Sequence, residues 1–193
     1  MPTTLPAVLW FALSIAAATG AAAQAPSTSP LAVRLGPADA PAQLTIFCDI
    51  EAEACERLMV LLQRAIDEHP GKVEVTFRHL AADGHKPSAL AYRSALAAAR
   101  QGKGWQFLDM ACANRDRLTD AGLQSMATQL QLDVPRFESD AAASDLAQVL
   151  EDDAAAAKAM SVEAVPAVFL NGARVADVST FDALEAAIKE AIR

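Results

Sequence analysis

The first thirty residues of this chain lack any charged side chain; every Lys, Arg, Asp and Glu lies beyond Pro30. Leu5 to Ala23 is instead a weakly apolar, Ala-rich run that ends in Ala21-Ala22-Ala23-Gln24-Ala25. This is the apolar stretch and A-x-A cleavage pattern of a secretory signal, although the usual basic start is missing. Residues 1–25 are therefore expected to be a signal peptide, cleaved after Ala23 or Ala25, that sends the chain to the periplasm or out of the cell. An uncleaved anchor is the alternative. Against it, the run is marginal in length and hydrophobicity for a span, and Pro2 and Pro6 interrupt its start. No cysteine lies in this region, which argues against a lipid-modified N-terminus.

Clusters of basic residues are missing too. The formal net charge is −8 over 193 residues, and such an acidic chain is a poor partner for nucleic acid or anionic lipid. No membrane association is expected once the signal is removed. Aromatic residues make up only 5% of the chain, and the Ala-rich remainder favours helices. Cysteine is scarce: Cys48, Cys55 and Cys112 are the only three, and none forms a C-x-x-C pair. In an oxidising compartment paired cysteines form disulfides, and an odd count leaves at least one without a partner in the chain. Cys48, Cys55, His79, His85 and Asp49 match no metal-ligand spacing, so neither a metal nor another cofactor is expected.

What is present reads as one α/β domain over residues 35–193, preceded at 26–34 by a linker and a candidate edge strand, Leu31 to Leu35. Gln43 to Cys48 suits a buried strand. Ala54 to His69 places Leu58, Leu61, Leu62, Ala65 and Ile66 at helical spacing and is stopped by Pro70-Gly71. Val73, Val75 and Phe77 alternate as a second strand, which makes a parallel βαβ unit. Helical patterns then follow one another: Ala89 to Arg100, Trp105 to Asn114, Thr119 to Gln131, a short helix from Pro135, and Asp145 to Met160. An all-helical insertion is expected at about 86–145. Ala167 to Leu170 is an apolar strand, Asn171-Gly172 a type I′ hairpin signal, and Arg174 to Val178 the expected return strand. Thr180 caps a last amphipathic helix to Ile192. Within this scheme His79 and His85 read as loop or helix-start residues, Asp152-Asp153 as a solvated helix face, and Trp105 and Cys112 as core.

Four segments carry more than periodicity. They are Phe47-Cys48-Asp49-Ile50-Glu51-Ala52-Glu53-Ala54-Cys55; His85-Lys86-Pro87-Ser88-Ala89 with Ala97 to Trp105; Asp109 to Leu118; and Ser161 to Gly172, which contains Val165-Pro166. In this order and spacing they resemble the DsbA-like family of thioredoxin-fold thiol–disulfide oxidoreductases, over roughly residues 35–192. The resemblance implies a thioredoxin fold (βαβ … ββα) interrupted by a helical insertion. It also implies a site in which an exposed cysteine at a helix N-terminus attacks disulfides and a buried cysteine three residues later resolves them. A buried acid in the preceding strand assists, and a cis-proline loop presents backbone to an extended substrate segment.

Set on that pattern, this chain departs at its chemical positions. Ala52 stands at the attacking position, Glu53 and Ala54 fill the two positions between, and Ile46 stands where the buried acid belongs. Cys55 keeps the resolving position. Val165-Pro166 keeps the loop, and the resemblance implies a cis bond there. Two readings follow. In the first, the protein is a redox-inert module that binds unfolded or extended protein segments beside Val165 and Pro166. In the second, Cys55 is a catalytic residue of an atypical oxidoreductase or isomerase, alone or with Cys48. Carboxylates at Glu51, Glu53 and Glu56 surround Cys55 in sequence and disfavour a thiolate, which favours the first. A Cys48–Cys55 disulfide between strand end and first helical turn is a further candidate, subject to a Cα separation below about 7 Å.

Overall fold

The computed structural model describes residues 31–82 and 84–193; the expected signal peptide and the linker at 26–30 lie outside the described residues. Five strands form one sheet in the order β1-β3-β2-β4-β5. They are β1 (Val33–Leu35), β2 (Ala42–Cys48), β3 (Val73–His79), β4 (Ala167–Leu170) and β5 (Ala173–Arg174). The order follows from apolarity. Strand β2 sits at the centre because Leu44, Ile46 and Cys48 are buried on one face and Phe47 on the other, the pattern of a strand covered on both sides. It runs parallel to β3, with Ile46 opposite Phe77 and Cys48 opposite His79. It runs antiparallel to β4, with Ile46 opposite Val168. The parallel pair needs a crossover, and α1 (Glu53–Glu68) supplies it by burying Cys55, Leu58, Met59, Leu62 and Ala65.

Between β3 and β4 run α2 (Lys86–Ala99), α3 (Gly104–Ala113), α4 (Asp120–Gln129), α5 (Val134–Ala141) and α6 (Ser144–Ala159). Helix α2 starts three residues earlier than the apolar period indicates, because Pro87 suits a first turn that needs no N–H donor there. Thr119 accepts from Gly122 N at 3.3 Å and Asp133 from Arg136 N at 3.1 Å, so α4 and α5 are capped by their own side chains. The chain closes with β5 and α7 (Phe181–Ala191), whose cap Thr180 accepts from Ala183 N. Helices α1 and α7 cover one face of the sheet. On the other, Phe47, Ala167 and Phe169 pack with Ala156 and Ala157 of α6. Among the described residues no helix is long and apolar enough to cross a membrane.

The hairpin is built as its sequence indicates: Asn171 and Gly172 both have positive φ, 49° and 82°. The Asn171 side chain also ties the turn to the central strand, accepting from Gln43 N at 2.9 Å and donating to Pro41 O at 3.0 Å. The return strand is shorter than expected. It is Ala173–Arg174 rather than Arg174 to Val178, because β4 begins only at Ala167. After Val175 N bonds to Val168 O little of β4 is left to pair with, and the chain leaves the sheet.

Gly36 ends β1 with φ +94°, and a Cβ there would lie 2.2 Å from Val73 O. Gly36→Ala is therefore expected to lower stability by about 2 kcal/mol, as a reduced urea midpoint with an unchanged slope.

Candidate functional site

The segment from Ile46 to Cys55 crosses from the sheet centre to the start of α1. Ile46 is fully buried between Phe77 and Val168 in the neighbouring strands, so position 46 is an apolar packing position and no acid stands there. Ala52 is the N-cap of α1, with extended backbone and no side chain able to cap. Ala52 is half-buried and Glu53 exposed, whereas Cys55 is completely buried. A helix N-terminus offers unpaired N–H groups and a positive dipole end to an anion, and the side chain at this one is a methyl group.

The three carboxylates expected to crowd Cys55 are engaged elsewhere. Glu53 pairs with Arg57, Glu56 with Arg115 at 2.8 Å, and Glu51 accepts from Ser88 N at 3.0 Å. What Cys55 meets instead is the Asp49 N–H, 3.2 Å from its sulfur, with the Cys48 thiol close by. Burial, followed by the Cys55 neighbour, pushes the Cys48 thiol well above its ordinary value. Cys112, on α3, is buried in the same corner and is likewise pushed up by burial. All three cysteines are free thiols here.

Asp49 organises the loop. One carboxylate oxygen accepts from Ser88 Oγ at 2.6 Å and Glu51 N at 3.0 Å; the other faces His85 Nδ1 at 2.6 Å and accepts from Ala82 N at 2.9 Å. Burial pushes this carboxyl upward, but the four donors outweigh it and hold it below its ordinary range. The same contact raises the exposed His85 imidazole. Asp49, Glu51 and His85 place ligand atoms within 4.8 Å of one another. Both oxygens of the central carboxylate are already occupied by hydrogen bonds, so the group is built as a polar clasp between two loops.

Two sequence readings are corrected. His79 is neither loop nor helix start: it is the last residue of β3, 5% exposed and stacked on Tyr92 with centroids 5.2 Å apart. Burial, only partly offset by Asp49, lowers it to about 4. Asp153 is not on a solvated face but 2% exposed. It meets Arg78 Nη1 at 3.2 Å and accepts from His79 N at 2.8 Å, and the Tyr92 hydroxyl bonds to Phe77 O at 3.0 Å beside it. Burial lifts the Asp153 carboxyl to about 6 in spite of those donors. A signal for this was available: Leu146, Val149, Asp153, Ala156 and Ala157 share the helical face that α6 buries.

Val165-Pro166 is a cis peptide bond, as the resemblance implies, and it lies at the rim of an open groove of about 290 Å³. Leu58 and Leu61 of α1 line the groove together with Ala54, Arg57 and residues 176–179. In the first turn of α1, Ala54 lines the groove while its neighbour Cys55 is buried. Val165 and Pro166 are half-buried.

A βαβ unit and a ββα unit about one sheet, with helices inserted between and a cis-proline beside the first helix, define a thioredoxin-fold protein of DsbA-like build. The chain belongs to the thioredoxin family, whose model matches residues 28–190. Its backbone is similar to a thioredoxin-like oxidoreductase from Silicibacter pomeroyi, 24% identical, covering 84% of this chain and 93% of that one with a TM-score of 0.75. It is also similar to BdbD from Bacillus subtilis, 18% identical over 84% and 93% of the two chains, with a TM-score of 0.74. At these identities the likeness establishes the fold. Among curated proteins, the Na(+)/H(+) antiporter NhaA 3 of Salinispora tropica is 32% identical over 157 residues, which are 81% of this chain and 24% of the antiporter. The chain spans about a quarter of the length of the curated relatives it matches.

Proposed function

We propose that this protein is an exported, redox-silent relative of the DsbA-like exchange proteins that captures extended protein segments in the groove beside Pro166. The observation that carries this reading is the pairing of Ala52 at the half-exposed N-cap of α1 with a fully enclosed Cys55. The place from which a sulfur could reach a substrate holds none, and the remaining sulfur is out of contact with solvent. A groove lies beside that place. Leu58 and Leu61 give it an apolar floor, with Arg57 and Asp177 at its margin. Such a floor suits an apolar side chain of an extended segment while the charged margin meets polar neighbours. The matches to about a quarter of antiporter chains also favour a module that works beside other proteins.

Binding of unfolded or extended peptides, followed by fluorescence anisotropy, tests the proposal. Leu61→Asp puts a charge on the groove floor and should weaken binding at least about tenfold, roughly 1.4 kcal/mol. Val60→Asp, at a position on α1 that is 64% exposed and outside the groove, should leave affinity unchanged. Equal losses in both variants, or no saturable binding by the parent, would remove the groove as the site. Disulfide turnover that vanishes in Cys55→Ser would overturn the redox-silent reading.

A further inference from the structure

Three buried thiols share one corner of the core and the groove uses none of them. Cys48 ends β2, Cys55 lies in the first turn of α1, and Cys112 comes from α3. Their exposures are 0%, 0% and 1%. Cys48 and Cys55 lie close together and interact electrostatically. The Asp49 N–H on the Cys55 sulfur, at 3.2 Å, holds that side chain toward the strand end. Cys112 influences both electrostatically from α3.

We infer that Cys48 and Cys55 are a disulfide-forming pair, which closes a ring over residues 48–55 and locks the loop containing Ala52 into its present shape. A Cys55 sulfur held against the backbone next to Cys48 needs only local adjustment to reach the bonded separation of about 2.05 Å. The pairing differs from the one the resemblance implies, because its partner for Cys55 lies on the strand side of α1 and not at the solvent-facing N-cap. The oxidant is a small-molecule or protein disulfide. One cysteine, as thiolate, attacks it to give a mixed disulfide and release one thiolate. The second cysteine gives up its proton and displaces the other half as a second thiolate. The sum is two thiols oxidised to one disulfide and one disulfide reduced to two thiols. Because both sulfurs are enclosed, exchange occurs during folding or through local opening, and the finished bond is shielded from soluble thiols. The bond is thus a structural lock, consistent with the redox-silent reading; its presence in the cell rests on the proposed export, and its chemistry does not.

The test uses the purified chain equilibrated in glutathione buffers from fully reduced to strongly oxidising. Samples are acid-quenched, denatured, alkylated with iodoacetamide, and examined by intact mass and peptide mapping. Oxidised protein should carry one alkyl group, on Cys112, and a crosslinked peptide joining Cys48 to Cys55. Reduced protein should carry three. The oxidised form should melt about 5–10 °C higher than the reduced form, and Cys112→Ala should keep the whole difference. Three alkylated thiols after full oxidation, a crosslink to Cys112, or a stable glutathione adduct on Cys55 would overturn the inference. Peptide binding measured on the same samples keeps the two readings apart. Binding without the crosslink sinks only the disulfide, and the crosslink without binding sinks only the groove.

Discussion

Asp153→Ala should cost about 3–5 kcal/mol of stability, because it removes the carboxylate that the buried Arg78 faces at 3.2 Å and the acceptor that His79 N uses. A cavity beneath α6 adds to the loss. Asp153→Asn is the more informative variant, since it keeps the shape and removes the titration. Burial lifts the Asp153 carboxyl to about 6, so the folded protein holds this proton where the unfolded chain, near pH 3.9, has released it. That contribution to stability is complete below about pH 4 and is lost as pH rises through 6. His79 has the opposite sign. Burial lowers it to about 4, so its contribution is present above about 6.5 and is lost as pH falls toward 4.

The two slopes oppose each other between pH 4 and 6, and the parent should show little pH dependence there from this pair. In Asp153→Asn only the His79 slope remains. Its stability should climb by on the order of 2–3 kcal/mol between pH 4 and 6.5. Urea midpoints at half-unit pH steps read this directly. A variant profile as flat as the parent's would mean that His79 does not titrate from a buried, neutral state.

The second large effect is a gain. Ala52→Cys places a sulfur at the half-exposed N-cap of α1, where unpaired backbone N–H groups and the helix dipole favour a thiolate. In the reduced protein Cys55 then stands three residues behind it as the resolving group. Exchange with a fluorescent disulfide peptide should rise on the order of a hundredfold above the parent. It should stop short of a fully active enzyme, because Ile46 offers no buried acid to move the resolving proton. A correctly folded Ala52→Cys protein without exchange activity would show that residue 52 is not at the attacking position.

Much of this arrangement is written locally. The strand, helix and strand from Gln43 to Phe77 follow from apolar spacing and from Pro70-Gly71, and Asn171-Gly172 dictates its own turn. The closeness of Cys48 to Cys55 is also local, since it brings a strand end to the helix that follows. Three features depend on distant parts of the chain and leave weaker marks. The ion pair of Arg78 with Asp153 spans 75 positions, and in α6 the acid is disguised among solvent-facing neighbours such as Asp152. The length of β5 is set by where β4 begins and not by the alternation of Val175 and Val178. The bonds of His85 and Ser88 to Asp49 cross 36 and 39 positions, and nothing in either segment alone shows that they meet.

Asp49 has a mechanical consequence. A single side chain rivets the loop before α1 to the start of α2, so the groove wall and the helical block cannot shift independently while its four bonds hold. Acidity sets how firm the rivet is. The lowered Asp49 carboxyl supplies its share above about pH 3.9 and loses it as pH falls; the raised His85 supplies its share below about 6.5 and loses it as pH climbs through its folded value. The joint is therefore at full strength in mildly acidic solution. It slackens on the alkaline side by losing His85, whose side chain is 40% exposed.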